Sequence, residues 1–148
     1  ELISRDVGSM GQLDLAVIIE GKSGQSFKIR PPNHPKEVAR FHRLLLEAKL
    51  EVQFEMQHEF LLVYDKKGAL AGGLFWKKTG RKIAHLEKIV IALRYQKGHL
   101  SIRLTEELFS RLRLKKFEYL TVGFFQSGLF YRLGFEINQK FGGLVKQL

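Results

Sequence analysis

A short basic loop separates the longest extended segment of the sequence from its clearest amphipathic helix. Arg94, Lys97 and Gly98 lie in this loop, and His99 and Ser101 follow at the start of the helix. A glycine-containing loop that leads into a helix presents unpaired backbone N–H groups and the positive end of the helix dipole, which together favour anions. These residues therefore indicate either a phosphate-binding site or an ordinary strand–helix connection.

The net charge of the chain is concentrated around this loop. Of the total of +10, a net charge of +9 lies in residues 76–116, which contain 12 Lys and Arg residues against 3 Asp and Glu residues. Such a density is typical of a surface that binds a polyanion or a phosphorylated ligand, and also of a solvated face. Two clusters in this segment, 77–82 and 111–116, could neutralise nucleic-acid phosphates.

The composition excludes several kinds of site. The 148 residues include no cysteine, which excludes a disulfide framework, a cysteine-ligated metal and a thiol nucleophile. His34, His42 and His58 are too far apart in sequence for a metal-binding spacing, so we expect no metal. No apolar run is long enough to span a membrane, and the acidic, polar start is unlike a signal peptide. We therefore expect a cytoplasmic protein without a membrane partner.

The elements that would position these residues alternate along the chain. Apolar, β-rich runs bounded by turn residues predict strands over 13–20, 26–30, 60–64, 69–76 and 119–125, and alternation with a period of two predicts one over 83–93. One or two more strands are expected over 135–148. Helical spacing predicts helices over 36–50 and 100–112 and a short helix over 127–133. Gly134 is expected to end the short helix in a left-handed conformation.

This order of elements predicts the fold class. The strand–helix–strand unit of 83–125 implies a parallel pair with a right-handed crossover, whereas the 60–93 meander is antiparallel. We expect an α/β (α+β mixed) protein with a mixed, mostly antiparallel sheet of six or seven strands and helices on both faces. Along the 83–93 strand, simple alternation places His85 and Glu87 on the same face as Ile89 and Ile91.

Two segments of the sequence match known signatures. Residues 89–104, IVIALRYQKGHLSIRL, run from a strand end through a short loop into a helix, and residues 130–135 read FYRLGF. The first resembles the acetyl-CoA motif of the GNAT N-acetyltransferase superfamily, Gln/Arg-x-x-Gly-x-Gly/Ala before a helix, and the second resembles its Tyr-x-x-Gly-Phe signature. With Gln96 aligned on the motif, His99 and Ser101 take the places of its glycines. Phe124 stands where an Asn often opens the last helix.

The resemblance implies an acetyl-CoA-dependent N-acetyltransferase. Such an enzyme transfers the acetyl group to a primary amine by direct attack of the amine on the thioester, and we expect a small-molecule or peptide acceptor. The resemblance also implies a GNAT-like domain over 25–148, preceded by an N-terminal extension over 1–24. The extension adds an edge strand that could cap the sheet or pair across a homodimer.

Roles for individual residues follow from the same resemblance. Tyr131 takes the general-acid position of the family, Glu87 takes the position of a base, and His85 is a second candidate base. The coenzyme would lie along the strand end and on the backbone N–H groups of the loop. The implied coenzyme-binding residues are Ile89, Ile91, Leu93, Gln96, Lys97, Gly98, His99, Leu100, Ser101 and Arg103.

Two other functions stay open at the level of sequence. The departures at His99 and Phe124 favour a degenerate acyltransferase fold that acts as a CoA-binding sensor or interaction domain. The basic clusters favour a nucleic-acid-binding module, but no recognition-helix or aromatic–basic RNA pattern accompanies them. For this reason we do not expect nucleic acid as the partner.

Overall fold

The computed structural model describes residues 16–20, 24–123 and 127–148. The strands in chain order are β1 (Val17–Glu20), β2 (Ser26–Arg30), β3 (Glu59–Asp65), β4 (Leu70–Gly80), β5 (Ile83–Ile91), β6 (Tyr119–Val122), β7 (Glu136–Asn138) and β8 (Gly143–Gln147). The α-helices are α1 (Pro35–Glu47), α2 (Leu100–Leu114) and α3 (Ser127–Arg132). Two 3-10 helices, Leu93–Gly98 and Gln139–Phe141, precede α2 and β8.

The described strands form one sheet in the order β1-β2-β3-β4-β5-β6-β8-β7. Neighbouring strands are antiparallel except β5 and β6, which are parallel and are connected through α2. The predicted fold class is therefore confirmed. The sheet has eight strands where the sequence predicted six or seven; all six strands expected before residue 135 are present, and the final segment forms two, β7 and β8.

Helices cover both faces of the sheet, as predicted. On one face, Phe41 and Leu45 of α1 pack against Phe75 and Val90 in a cluster of buried side chains. On the other face, the core is larger and includes the leucines of α2 at the predicted spacing together with Leu129 and Phe130 of α3. The α2 leucines are Leu100, Leu104, Leu108 and Leu112. Burial of this stripe explains why α2 forms where the sequence pattern placed it.

Several elements end at residues other than the predicted ones, and the largest difference is in β4, which extends to Gly80 rather than residue 76. Helix α1 ends at Glu47 rather than residue 50, and β5 ends at Ile91 rather than residue 93. Leu93 instead starts a 3-10 helix, where its side chain is 85% exposed. Strand β6 ends at Val122; the last residues of the predicted 119–125 strand, and the 13–15 part of the first strand, lie outside the described residues. These differences leave the predicted order of elements unchanged.

Candidate functional site

Strands β5 and β6 part halfway along β5. Their parallel pairing runs from Ile83 with Tyr119 to Leu86 with Val122. Strand β5 then continues to Ile91, whereas β6 ends at Val122. Within the described part of the chain, the second half of β5 therefore has β4 as its only paired strand, and its other edge is open.

A β-bulge lies at the point where the strands part. Trp76 of β4 pairs with Leu86, but the preceding Phe75 pairs with Lys88, so Glu87 is an extra residue in β5. A bulge of this kind reverses the alternation of side chains beyond it. Ala84 and Leu86 before the bulge and Ile89 and Ile91 after it consequently all belong to the core on the α2 face.

Because of the bulge, the titratable residues of β5 lie on a different face from the predicted one. His85 and Glu87 do not share a face with Ile89 and Ile91, because the inserted residue breaks the simple alternation. His85 contacts Thr121, whose neighbours in β6 belong to the α2-side core. Glu87 contacts His58, which packs on Phe75. Both titratable side chains therefore belong to the α1 side of the sheet.

The open edge of β5 carries backbone groups that suit an extended ligand. The N–H of Ala92 donates to the carbonyl oxygen of Ala71 at 2.8 Å. Because backbone groups alternate in direction along an antiparallel ladder, Ile89 and Ile91 direct theirs towards the opposite, open edge. The side-chain Nε2 of Gln96 donates to the Ile91 carbonyl oxygen at 3.0 Å and so already occupies one of these acceptors.

The loop after β5 ends in a left-handed residue before α2. Its residues form the 3-10 helix, and His99 follows with φ 60° and an exposed side chain. His99 is the N-cap of α2 and makes no side-chain capping bond. The first N–H groups of α2, at Leu100 and Ser101, are therefore available to an anion. Only the backbone path of Lys97 and Gly98 is described.

The predicted coenzyme-binding residues differ in what they can contribute. The side chains of Ile89, Ile91 and Leu100 are buried in the core, so only their backbone groups could meet a ligand. Leu93 is exposed beyond the strand end. Arg103 is exposed, and its Nη1 donates to the carbonyl oxygen of Glu20 in β1 at 3.3 Å.

Arg94, which adds positive charge to the loop, is bound to an acidic residue. Its Nη2 donates to the hydroxyl of Tyr95 at 2.8 Å and lies 3.6 Å from Oδ2 of Asp65. Tyr95 donates in turn to Asp65. The hydrogen bond from Tyr95, with those from Ala69 and Lys67 and the charge of Arg94, lowers the pKa of Asp65. Arg94 therefore has a carboxylate partner within the protein, while its side chain stays 70% exposed.

Glu87 lies in a small cleft on the α1 side of the sheet. The cleft has a volume of about 250 Å³ and is lined by Val52, Gln53, Glu55, His58, Phe75, Lys77, Glu87 and Lys88. Oε2 of Glu87 lies 3.2 Å from Nε2 of His58 and 3.6 Å from Nζ of Lys77. The Glu87 side chain is 25% exposed. Sequence reasoning missed the contact with His58, because no local pattern relates residues 58 and 87.

His85 is half-buried next to the parting of the strands. Its Nδ1 lies 2.6 Å from Oγ1 of Thr121, its pairing partner in β6. Burial lowers the pKa of His85; Glu87 opposes this effect, and the charges of Lys77 and Lys88 add to it. The imidazole is therefore neutral at pH 7.

Tyr131 lies on the short helix α3 with its side chain 48% exposed, while the preceding Leu129 and Phe130 are buried. Its hydroxyl makes no hydrogen bond with any other described residue. Helix α3 is followed by Gly134 with φ +91°, which confirms the predicted left-handed cap. The N–H of Phe135 donates to the carbonyl oxygen of Phe130 at 3.0 Å and closes the turn.

Comparison with solved structures identifies the fold. An acetyltransferase of the GNAT family from Staphylococcus aureus Mu50 superposes with a TM-score of 0.63 at 13% identity over 82% of this chain and 99% of that one. The GNAT domain of S. lividans PAT gives a TM-score of 0.69 at 11% identity over 90% and 97% of the two chains. The chain has the GNAT fold. A GNAT-family acetyltransferase from Streptococcus pneumoniae gives a TM-score of 0.60 at 21% identity over 76% and 85%.

These likenesses confirm the suggested GNAT resemblance at the level of the fold. No family model matches the chain, and no curated protein matches it by sequence. Within this GNAT fold, the two segments that resemble the family signatures lie on the β5–α2 connection and on α3. The predicted coenzyme loop thus follows β5, and the predicted general acid lies on the helix that follows β6; these are the two strands that separate.

The described ranges contain neither a candidate metal site nor a membrane-spanning helix. No three His, Asp or Glu side chains there are grouped so that they could hold a metal ion. No helix among the described residues is both long and apolar enough to cross a membrane.

Proposed function

We propose that the protein is an acetyl-CoA-dependent N-acetyltransferase that acts on a primary amine. The observation that carries the proposal is the parting of β5 and β6 at the Glu87 bulge. It leaves the Ile89–Ile91 edge open directly before a helix whose first N–H groups have no side-chain cap. An extended amide chain suits the strand edge, and a pyrophosphate suits the helix start.

The residues present fit the coenzyme through their backbone more than through their side chains. The edge of Ile89 and Ile91 would hold the pantetheine amides, and the N–H groups of Leu100 and Ser101 would hold the pyrophosphate. Acetyl-CoA supplies an activated acetyl thioester when it is bound. Gln96 must release the Ile91 carbonyl oxygen if the coenzyme is to use that acceptor.

Glu87 is the proposed general base. An amine attacks a thioester only in its neutral form, so a proton must leave the ammonium group before or during attack. Glu87 lies in the cleft at the point where the strands part, and Oε1 makes no hydrogen bond with any residue that the structure describes. We assign proton acceptance to this oxygen. His85 is the second candidate, because its lowered pKa keeps the imidazole neutral, but its Nδ1 is engaged by Thr121.

Tyr131 is the proposed general acid. A leaving thiolate needs a proton, and a phenol hydroxyl can supply one where it reaches the sulfur. The exposed hydroxyl of Tyr131 has no competing partner in the described part of the chain. Its place on α3, after the strand that parts from β5, supports this role.

A cationic amine is the proposed acceptor class. The loop between α1 and β3 carries Glu51 and Glu55, Glu59 begins β3, and Glu55 lines the same cleft as Glu87. Glu51 and Glu55 would attract a protonated amine, such as that of a small molecule or a peptide lysine, and Glu55 would share its charge between that amine and Lys77, which lies 3.5 Å away.

The basic clusters do not favour nucleic acid as the partner. Lys77 is within ion-pair distance of Glu55 and Glu87, and Lys82 lies 3.5 Å from Glu118. Lys115 lies 3.2 Å from Glu59. With the pair of Arg111 and Glu107, four of the eight Lys and Arg residues in the two clusters thus face acidic residues of the chain itself.

A CoA-binding sensor without turnover is the second candidate function. It is favoured by His99, whose side chain stands at a position that is glycine in the motif and whose φ of 60° is one that glycine adopts freely. A side chain there could restrict approach of the pyrophosphate to the backbone.

Coenzyme binding and amine acetylation test the proposal together. We expect millimolar CoA or acetyl-CoA to raise the melting temperature of the purified protein. We also expect release of free CoA from acetyl-CoA in the presence of a panel of amines that includes polyamines and lysine peptides. A thermal shift without turnover of any amine would favour the sensor, and the absence of a shift would overturn coenzyme binding.

A further inference from the structure

We infer that His58 is a positioning residue that holds the Glu87 carboxylate for proton acceptance; this inference rests on the proposed function. His58 comes from the loop before β3, and Glu87 is the extra residue of the β5 bulge. The two side chains meet at 3.2 Å between Nε2 and Oε2. The contact joins the loop between α1 and β3, which carries carboxylates proposed to attract the acceptor amine, to the proposed base.

The hydrogen bonds of His58 determine which nitrogen carries its proton. The N–H of Glu55 donates to Nδ1 of His58 at 2.9 Å. A neutral imidazole has one donor and one acceptor nitrogen, so with Nδ1 as the acceptor the proton lies on Nε2. Nε2–H therefore donates to Glu87, and a second proton on Nδ1 would abolish the bond from Glu55.

Packing fixes the plane of the ring. His58 is 8% exposed, and its ring meets Phe75 edge-on with a centroid distance of 4.9 Å and an interplanar angle of 87°. Its own N–H donates to the carbonyl oxygen of Glu55 at 3.1 Å, so two bonds with Glu55 hold the turn. A donor held in this way restricts the rotamers of the carboxylate it contacts.

The contact with His58 gives the two carboxylate oxygens of Glu87 different roles: Oε2 is held by His58, and Oε1 is the proposed proton acceptor. Oε2 is near both His58 and Lys77, whereas Oε1 makes no hydrogen bond with any residue that the structure describes. Loss of the His58 donor would let the carboxylate rotate towards Lys77. The proton-accepting oxygen would then leave the geometry that proton transfer requires, at a cost in turnover rather than in coenzyme binding.

Two substitutions separate the two hydrogen bonds of His58. His58→Gln places an amide nitrogen near the position of Nε2 and retains the donor to Glu87. His58→Asn places an amide oxygen near the position of Nδ1 and retains only the acceptor for Glu55. His42→Gln is the matched control, because His42 bonds the Val52 carbonyl oxygen in the same loop but does not contact Glu87.

The experiment measures kcat and KM for these variants and for Glu87→Gln, alone and combined. We expect His58→Asn to lower kcat by about 10-fold or more with an unchanged KM for acetyl-CoA, and His58→Gln and His42→Gln to stay near the wild type. In the Glu87→Gln background, His58→Asn should cause no further loss, because residues that act through one group are not additive.

The outcomes separate this inference from the proposed function. If the wild type acetylates amines but His58→Gln and His58→Asn lose activity equally, or His58→Asn keeps its full effect in the Glu87→Gln background, the positioning role is wrong and the proposed function stands. If the wild type binds CoA but acetylates no amine, the proposed function is wrong and the positioning role fails with it.

Discussion

His85 and Thr121 face each other across the parallel strands β5 and β6, and Nδ1 of the imidazole lies 2.6 Å from the threonine Oγ1. This side-chain bond lies one residue before the last pair, Leu86 with Val122, after which the strands part. It therefore links the two strands at the base of the opening that we propose for the coenzyme.

The first prediction concerns the pH dependence of stability at His85. Because burial lowers the pKa of His85 below its ordinary value of 6.5, the unfolded chain takes up a proton before the folded chain does as the pH falls. The stability contributed by neutral His85 is thus fully present above pH 6.5 and is lost as the pH falls through the folded-state pKa. Denaturant unfolding between pH 8 and pH 5 measures this loss.

A variant isolates the contribution of this one group. His85→Gln cannot titrate, so its free energy of unfolding should fall less between pH 7 and pH 5 than that of the wild type. Equal slopes for His85→Gln and the wild type would contradict the prediction. Thr121→Val should cost about 1 kcal/mol at pH 7, because it removes the hydrogen bond and leaves a buried polar partner.

The second prediction concerns the hydroxyl of Tyr131. Tyr131→Phe retains the ring on α3 and removes the proposed proton donor. We expect kcat to fall by about 100-fold while the dissociation constant for CoA, measured by calorimetry, stays unchanged. Tyr119 of β6 packs against Phe141 and lies outside the proposed site, so Tyr119→Phe is a suitable control. A loss of activity no larger than that of the control would exclude Tyr131 as the acid.

The third prediction concerns the left-handed backbone of His99. Replacement by glycine relieves a positive φ and removes the side chain beside the first N–H groups of α2, so His99→Gly should raise stability by about 0.5–1 kcal/mol and tighten CoA binding several-fold. Lys49 also has a positive φ, 62°, but lies after α1. Lys49→Gly should therefore raise stability without changing the affinity. If His99→Gly weakens CoA binding, the imidazole contributes to the site rather than restricting it.

Features with a local pattern could be predicted from the sequence. The leucine spacing of α2 and the cap at Gly134 each depend on residues within a few positions of one another, and both are present in the fold. The order of elements followed from the same patterns, and with it the parallel pair on either side of α2.

The chemistry of the site depended on contacts that carry no such pattern. The segment IAHLEKIVI alternates regularly through Glu87, and no residue type in it indicates a bulge. The structure nevertheless has an extra residue there, which changes the face of every later side chain in the strand. The partners of Glu87 and Arg94 are His58 and Asp65, which lie about 30 residues away in the chain. Such pairs form only when the strands are placed side by side in the sheet.

The last prediction concerns a buried ionic cluster between α1 and the sheet. Glu37 lies 2.8 Å from Nη1 of Arg30, accepts the N–H of Asn33 at 2.7 Å, and accepts a hydrogen bond from the hydroxyl of Tyr64. Burial by itself would raise the pKa of Glu37, but these hydrogen bonds and the charge of Arg30 outweigh it and lower the pKa. Glu37→Gln should therefore destabilise the protein by about 2–3 kcal/mol at pH 7, since it leaves Arg30 without its charge partner.

The pH dependence of this loss identifies its cause. A carboxylate with a lowered pKa stabilises the fold above its ordinary value of 4.5, and this stabilisation is lost as the pH falls through the folded-state pKa. The difference in unfolding free energy between the wild type and Glu37→Gln should consequently be largest above pH 5 and shrink in more acid solution. A difference that stays constant with pH would mean that the substitution acts through packing alone. Tyr64→Phe, which removes one donor and retains the charge pair, should cost less than Glu37→Gln, because Arg30 and the Asn33 N–H still hold the carboxylate.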